Sequence, residues 1–151
     1  MSLTEELLVY IWKFQLFEKR DLRTKSGIPL EIIGQGFYQP NAGADFANAK
    51  VKAGNITLAG NIEIHVKENE WRQHRHHSDK AYNTVILHVV WQSEHEKTLL
   101  ENGAYAEVLE LQNRVDKNLL SRYELLMKQQ LPIACSEMES GIEPFPLRHF
   151  L

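Results

Sequence analysis

Asp45, Glu63, His65 and Lys67 are the residues whose types and spacing first suggest chemistry. Residues 60–67 read GNIEIHVK. The alternation is that of a strand, and it sets Asn61, Glu63, His65 and Lys67 on one face. Asp45 follows a glycine-containing loop and precedes a second alternating stretch, Ala47–Lys52. A hairpin of 47–52 with 56–67, turned at Gly54-Asn55, sets Asp45 opposite Glu63–His65. Two carboxylates converging at a sheet edge offer hard oxygen ligands to Mg²⁺ or Mn²⁺. Such an ion lowers the pKa of a bound water and neutralises charge on a phosphate. His65 or Lys67 would then orient or deprotonate that water. The plainer alternative is a solvated strand face with an ordinary turn aspartate.

A second group is His74, His76 and His77, three histidines in four positions. On extended chain His74 and His76 share a face, and a His-x-His pair is a common half of a metal site. On a helix His74 and His77 are the neighbours instead. A hydrolase centred on His74 and His76 with Asp79 is one expectation. Lys67, Arg72, Arg75 and Lys80 make 67–80 the most basic stretch of the chain, so contact with nucleic-acid phosphates is another. A solvated loop tethered by Trp71 is the third. His88, inside TVILHVV, shares a strand face with Thr84 and Ile86. A lone histidine there is expected to be a hydrogen-bonded core residue, with an approach to the Glu63 site as the alternative. Cys135 has no acid–base partner nearby in sequence and reads as a buried, inert thiol. GxGxxG, P-loop, GxSxG and HExxH motifs are absent.

The elements that must position these residues can be read in outline. Thr4, Glu5 and Glu6 precede apolar residues at helical spacing, which predicts a capped amphipathic helix ending near Lys19–Arg20. Trp12, Phe14 and Phe17 read as core or interface residues. Pro29–Ile33 is a short strand candidate, closed by Gly34 and Gly36. Residues 39–46 form a turn-rich loop. Ala47–Lys52 and Ile56–Lys67 follow as strands, the second bent at Gly60, with Ile62, Ile64 and Val66 facing a core. Ala81–Tyr82 belongs to a short helix. Thr84–Trp91 is almost continuously apolar, as in a strand buried on both faces. Tyr105–Leu111 is a further strand. Asp116–Gln130 carries a helical apolar stripe behind an Asp116 N-cap. From Pro132 onward the chain reads as irregular. The order predicts an α/β fold: a mixed sheet flanked by helices, with an αβββαβ-like core and a C-terminal helix.

The 151 residues fit a single domain, and 43% hydrophobic with 25% charged residues is ordinary for a globular protein. No apolar run is long enough to span a membrane, and the acidic start lacks the features of a signal peptide. One cysteine excludes an internal disulfide framework and suggests a reducing, cytoplasmic setting. With a net charge of −3, any nucleic-acid surface must be local.

GADFANAKV (43–51), GNIEIHVKENEW (60–71), HRHHSDKAYNTVILHVVW (74–91) and ELQNRVD (110–116) resemble blocks of the bacterial domain of unknown function family 2851. The resemblance runs from IWKF near the start to LPIAC near the end. It implies that this chain is the N-terminal piece of a longer protein. The order αβββαβ, with Asp45 and then Glu63-Ile64-His65 on the next strand, is similar to the PD-(D/E)XK nuclease-like superfamily, whose pattern there is Glu-x-Lys. That resemblance implies a restriction-endonuclease-like core and a metal-dependent phosphodiesterase acting on nucleic acid. Asp45 would be the first acid and Glu63 the second metal ligand, with His65 in the lysine position and Glu5 or Glu6 as an extra carboxylate. Ala44 stands where proline is common, and His65 replaces lysine, so Lys67 would have to compensate. A binding or scaffold module of the same fold is the alternative.

Overall fold

Thr4 starts the first helix as expected. Its hydroxyl accepts from the Leu7 amide at 3.1 Å, satisfying one of the free donors of the first turn. In the computed structural model, which describes residues 3–41 and 43–130, α1 spans Glu5–Lys13 and buries Leu7, Leu8, Ile11 and Trp12. It stops well short of Lys19–Arg20. Gln15 takes φ 53°, and the Leu16 amide turns back to the Ile11 carbonyl. The helical spacing misled because Phe17, after the reversal, stacks on Trp12 with ring centroids 5.8 Å apart.

The strands are β1 (Leu30–Gly34), β2 (Phe37–Tyr38), β3 (Phe46–Ala53), β4 (Ile56–Lys67), β5 (Val85–Gln92), β6 (Lys97–Leu99) and β7 (Tyr105–Glu110). They form one seven-stranded mixed sheet in the order β1-β3-β4-β5-β7-β6, with β2 paired to β3. β3 and β4 are the predicted hairpin around Gly54-Asn55. β4 runs parallel to β5, and β5 parallel to β7. The fold is therefore α/β on a mixed sheet. The 17 residues between β4 and β5 hold only α2 (Glu70–Gln73) and two single 3-10 turns. β2 and β6 are too short to show a periodic signal in the sequence, and the strand expected at 29–33 lies one residue later, at 30–34.

A bulge shapes the edge of the site. Phe46 pairs with Ile62 and Ala49 with Gly60, so β3 holds one residue more than β4 between them. Asn48 takes φ 59° there. The Asn61 side chain accepts from the Asn48 amide and donates to Thr84 Oγ1 at 2.8 Å. Gly60 is required at its position: a Cβ would lie 2.5 Å from the Thr84 carbonyl oxygen.

Ile62 and Ile64 are fully buried, as are Leu87, Val89 and Val90. The opposite face of β4 is not solvated, since Glu63 and His65 are buried as well. The described residues divide into two units, one ending at Arg114 and one beginning at Val115. The second contains α3 (Lys117–Gln130), started by Asp116, whose carboxylate accepts from the Asn118 amide. Pro132 and the residues after it, Cys135 among them, lie outside the described residues. Among the described residues no helix is long and apolar enough to cross a membrane.

Candidate functional site: an imidazole–carboxylate centre

The hairpin brings Asp45 against β4 as the spacing requires. The Asp45 amide donates to Glu63 Oε1 at 3.1 Å, and the Ile64 amide donates to Asp45 Oδ2 at 2.8 Å. Burial is the main force pushing both carboxyls up, Asp45 to about 7 and Glu63 to about 8. For Asp45 the neighbouring Glu63 charge adds to the rise. Among the described residues no lysine or arginine pairs with either one; the ionic contacts of Glu63 are His65 and His76.

Glu63 Oε2 lies 2.9 Å from His76 Nε2 and 3.4 Å from His65 Nε2. His65 Nε2 is 3.2 Å from His74 Nδ1, and His65 Nδ1 is 2.8 Å from His88 Nε2. His88 Nδ1 in turn meets Thr98 Oγ1 at 2.9 Å. One ligand atom from each of His65, His74 and His76 falls within 4.8 Å of the others. Three imidazole nitrogens and a carboxylate oxygen so grouped match the donor set of first-row divalent ions.

His74 and His76 arrive by a route that neither a strand nor a helix would give. His74 ends α2, Arg75 takes the left-handed φ of 62°, and His76 opens a 3-10 turn. That conformation is costly for a residue with a side chain, and such strain concentrates at functional sites. It turns both rings onto His65, leaving their centroids 5.6 Å apart. Trp71 supplies the floor. It is buried, its indole N–H donates to the Leu99 carbonyl, and its ring meets His76, His88 and Tyr82. Tyr82 stacks on His76 at 3.8 Å.

Burial drives His65 down to about 2 and His88 down to about 3, so both are neutral at physiological pH. His76 is also lowered by burial, against the pull of Asp79, Asp45 and Glu5. Glu5, half-buried in the first turn of α1, is raised by burial and by the Asp45 and Glu70 charges. His74 and His76 oppose that rise, which sets Glu5 within electrostatic reach of the whole cluster.

Asp45, Glu63, His65, His74, His76 and His88 therefore come together, with Glu5 beside them. Glu6 is exposed. Lys67 shares the parity of Glu63 and His65 but is exposed at the end of β4, where it lines a separate cavity of about 150 Å³ with Glu68 and His95. Asp79 is exposed and caps a 3-10 turn by accepting from the Ala81 amide. Arg72, Arg75 and Lys80 are exposed on the segment that delivers His74 and His76. Sequence reasoning missed Thr98, which sits on a three-residue strand with no periodic signal, and gave Tyr82 no role in the site.

Fold and cluster together define an α/β protein whose mixed sheet carries an imidazole–carboxylate centre, with Glu63, His65, His76 and His88 buried, Asp45 half-buried and His74 exposed. The chain belongs to the family described as Protein of unknown function (DUF2851), whose model matches residues 5–151. Neither a curated protein nor a solved structure matches it.

Proposed function

We propose that the cluster is a divalent-metal centre that activates water for hydrolysis of a phosphodiester. The observation that carries the metal is Glu63 Oε2 reaching both His65 and His76 while His74 closes the trio. Imidazole donors favour Mn²⁺ or a later first-row ion over Mg²⁺, which prefers an all-oxygen shell. His65, His74, His76 and Glu63 would hold the ion, which supplies a bound water of lowered pKa. His65 is then a ligand rather than the base. Asp45, brought near neutrality by burial and by Glu63, has the properties of the general base. The resemblance to PD-(D/E)XK nucleases and the exposed Arg72, Arg75 and Lys80 support a nucleic-acid substrate.

A non-catalytic binding module is the second reading. It is favoured by the mutual satisfaction of Asp45 and Glu63, each accepting a backbone amide from the other's strand. Calorimetric titration with Mn²⁺, on wild type and Glu63→Ala, separates them together with a cleavage assay on labelled DNA and RNA. Metal binding and Mn²⁺-dependent cleavage, both lost in Glu63→Ala, are expected. Binding without cleavage leaves the module, and no binding at millimolar Mn²⁺ removes the metal.

A further inference from the structure

His88 sits fully buried in the middle of β5, opposite Glu63 in the parallel ladder with β4. Both of its ring nitrogens are committed, one to His65 at 2.8 Å and one to Thr98 at 2.9 Å. His65 and Thr98 are buried too, so the chain His65–His88–Thr98 is sealed from solvent and meets the rest of the cluster through His65 Nε2.

A hydrogen bond between two imidazole nitrogens holds one proton, and a neutral ring carries one N–H. The chain therefore has two polarities. In the first, the Thr98 hydroxyl donates to His88 Nδ1 and His88 Nε2–H donates to His65 Nδ1. His65 Nε2–H is then aimed at Glu63 and His74. In the second, His65 Nδ1–H donates to His88 Nε2 and His88 Nδ1–H donates to Thr98 Oγ1. His65 Nε2 is then a bare lone pair facing the centre. Both arrangements hold the same three protons and the same net charge.

Without an ion the first polarity is the better satisfied. All three donors find acceptors, because Glu63 Oε2 and His74 Nδ1 stand 3.4 and 3.2 Å from His65 Nε2. The second leaves the Thr98 hydroxyl hydrogen without an acceptor among the described residues, because His88 Nδ1 is then itself the donor. A bound metal would reverse this order, since only the lone pair of the second polarity could ligate it.

We propose that His88 and Thr98 are positioning residues for the metal ligand His65, and that metal binding switches the buried chain from the first polarity to the second. The proposal deepens the metal reading and rests on it. His88 acts through His65 and has no contact with the ion.

The test uses the full chain, ¹⁵N-labelled, with long-range imidazole ¹H–¹⁵N spectra recorded without and with Zn²⁺. Zn²⁺ is diamagnetic and binds imidazole sites more tightly than Mn²⁺. His65 and His88 are expected as Nε2–H tautomers in the free protein and as Nδ1–H tautomers with Zn²⁺. A residue that merely filled space would keep its tautomer. His88→Leu is expected to weaken Zn²⁺ by about 10–100-fold, the usual effect of losing such a partner. His88→Gln, whose carbonyl oxygen can accept in place of Nε2, is expected to restore most of that loss. Zn²⁺ binding by wild type with both tautomers unchanged, or His88→Leu binding as tightly as wild type, overturns the proposal and leaves the metal reading standing. If wild type binds neither Zn²⁺ nor Mn²⁺, the metal reading falls and takes this inference with it. Should His88→Leu fail to fold, the wild-type tautomers decide alone.

Discussion

The two sides of the centre reach the same electrical state from opposite directions. On the imidazole side burial removes protons: His65 and His88 are pushed far below the usual histidine range. On the carboxylate side burial adds them: Asp45 and Glu63 are pushed up to about 7 and about 8. Low polarisability penalises charge of either sign, so both sides are held near neutral without a cation. The difference lies in what each side can give up. The imidazoles are already uncharged, and His65 needs only a change of tautomer to offer its lone pair, whereas the carboxyls must release a proton. A divalent ion is therefore expected to bind as the acidic side ionises, so affinity should rise with pH.

The imidazole side depends most on its floor. Trp71 touches His76, His88 and Tyr82 and packs with Ala44, Val85, Leu100 and Ala106. Trp71→Ala should destabilise the protein by about 3–5 kcal/mol, as large-to-small changes at buried aromatics do. Urea unfolding measures this, and a change under 1 kcal/mol would mean the floor is not a packed element.

The carboxylate side should dominate affinity. Glu63→Ala removes the oxygen shared between His65 and His76. Loss of a supporting partner alone typically weakens metal by about 10–100-fold, so loss of a ligand should exceed that range. Undiminished Mn²⁺ binding in Glu63→Ala would place the ion on the histidines alone.

The two sides should also divide the pH profile. Asp45 and Glu63 bind their protons more tightly folded than unfolded. Their contribution is complete below the unfolded values of 3.8 and 4.5 and is lost as pH rises through about 7 and 8. His65 and His88 do the reverse. They favour the folded state above 6.5, and that is lost as pH falls towards about 2 for His65 and about 3 for His88. Between about pH 4.5 and 6.5 the two trends oppose each other and should nearly cancel. Above 6.5 only the carboxyls change, so stability should fall by on the order of 1 kcal/mol per pH unit. Unfolding at pH 5.5 and 8 tests the sign; metal-free protein more stable at pH 8 contradicts it. Added Mn²⁺ should flatten the alkaline side, because the ion holds the carboxylates ionised.

How far the site could be read beforehand follows the same division. Asp45, Glu63 and His65 meet because period-2 alternation and a Gly54-Asn55 turn fix a hairpin register. That information is local. The placement of His74 and His76 depends on the left-handed Arg75, for which no propensity argues. His88 reads alike as a core residue or a site residue, because its strand is buried on both faces. Thr98 and Tyr82 enter only through tertiary packing. Period-2 reasoning also put Lys67 on the site face, but it could not say that β4 ends there and the side chain turns to solvent. Helical spacing overran α1 because Phe17 packs on Trp12 after the chain has reversed.

Tyr82 separates packing from hydrogen bonding on the imidazole side. Its ring lies 3.8 Å from that of His76 and nearly parallel to it, while its hydroxyl donates to the Gly43 carbonyl at 3.3 Å. Burial and the Glu63, Asp79 and Asp45 carboxylates raise the phenol to about 12, so it stays protonated and is no base. Tyr82→Phe keeps the stack and removes one long bond at an exposed carbonyl. The loss in stability should stay below about 1 kcal/mol, with metal affinity unchanged. Tyr82→Ala frees the His76 ring from its stack and should weaken the metal measurably. If Phe and Ala weaken it equally, the hydroxyl at Gly43 positions His76 through the loop before β3, and the two sides of the centre are mechanically linked there. If only Ala does, His76 is held by the stack, and the carboxylate side contributes to it through Glu63 alone.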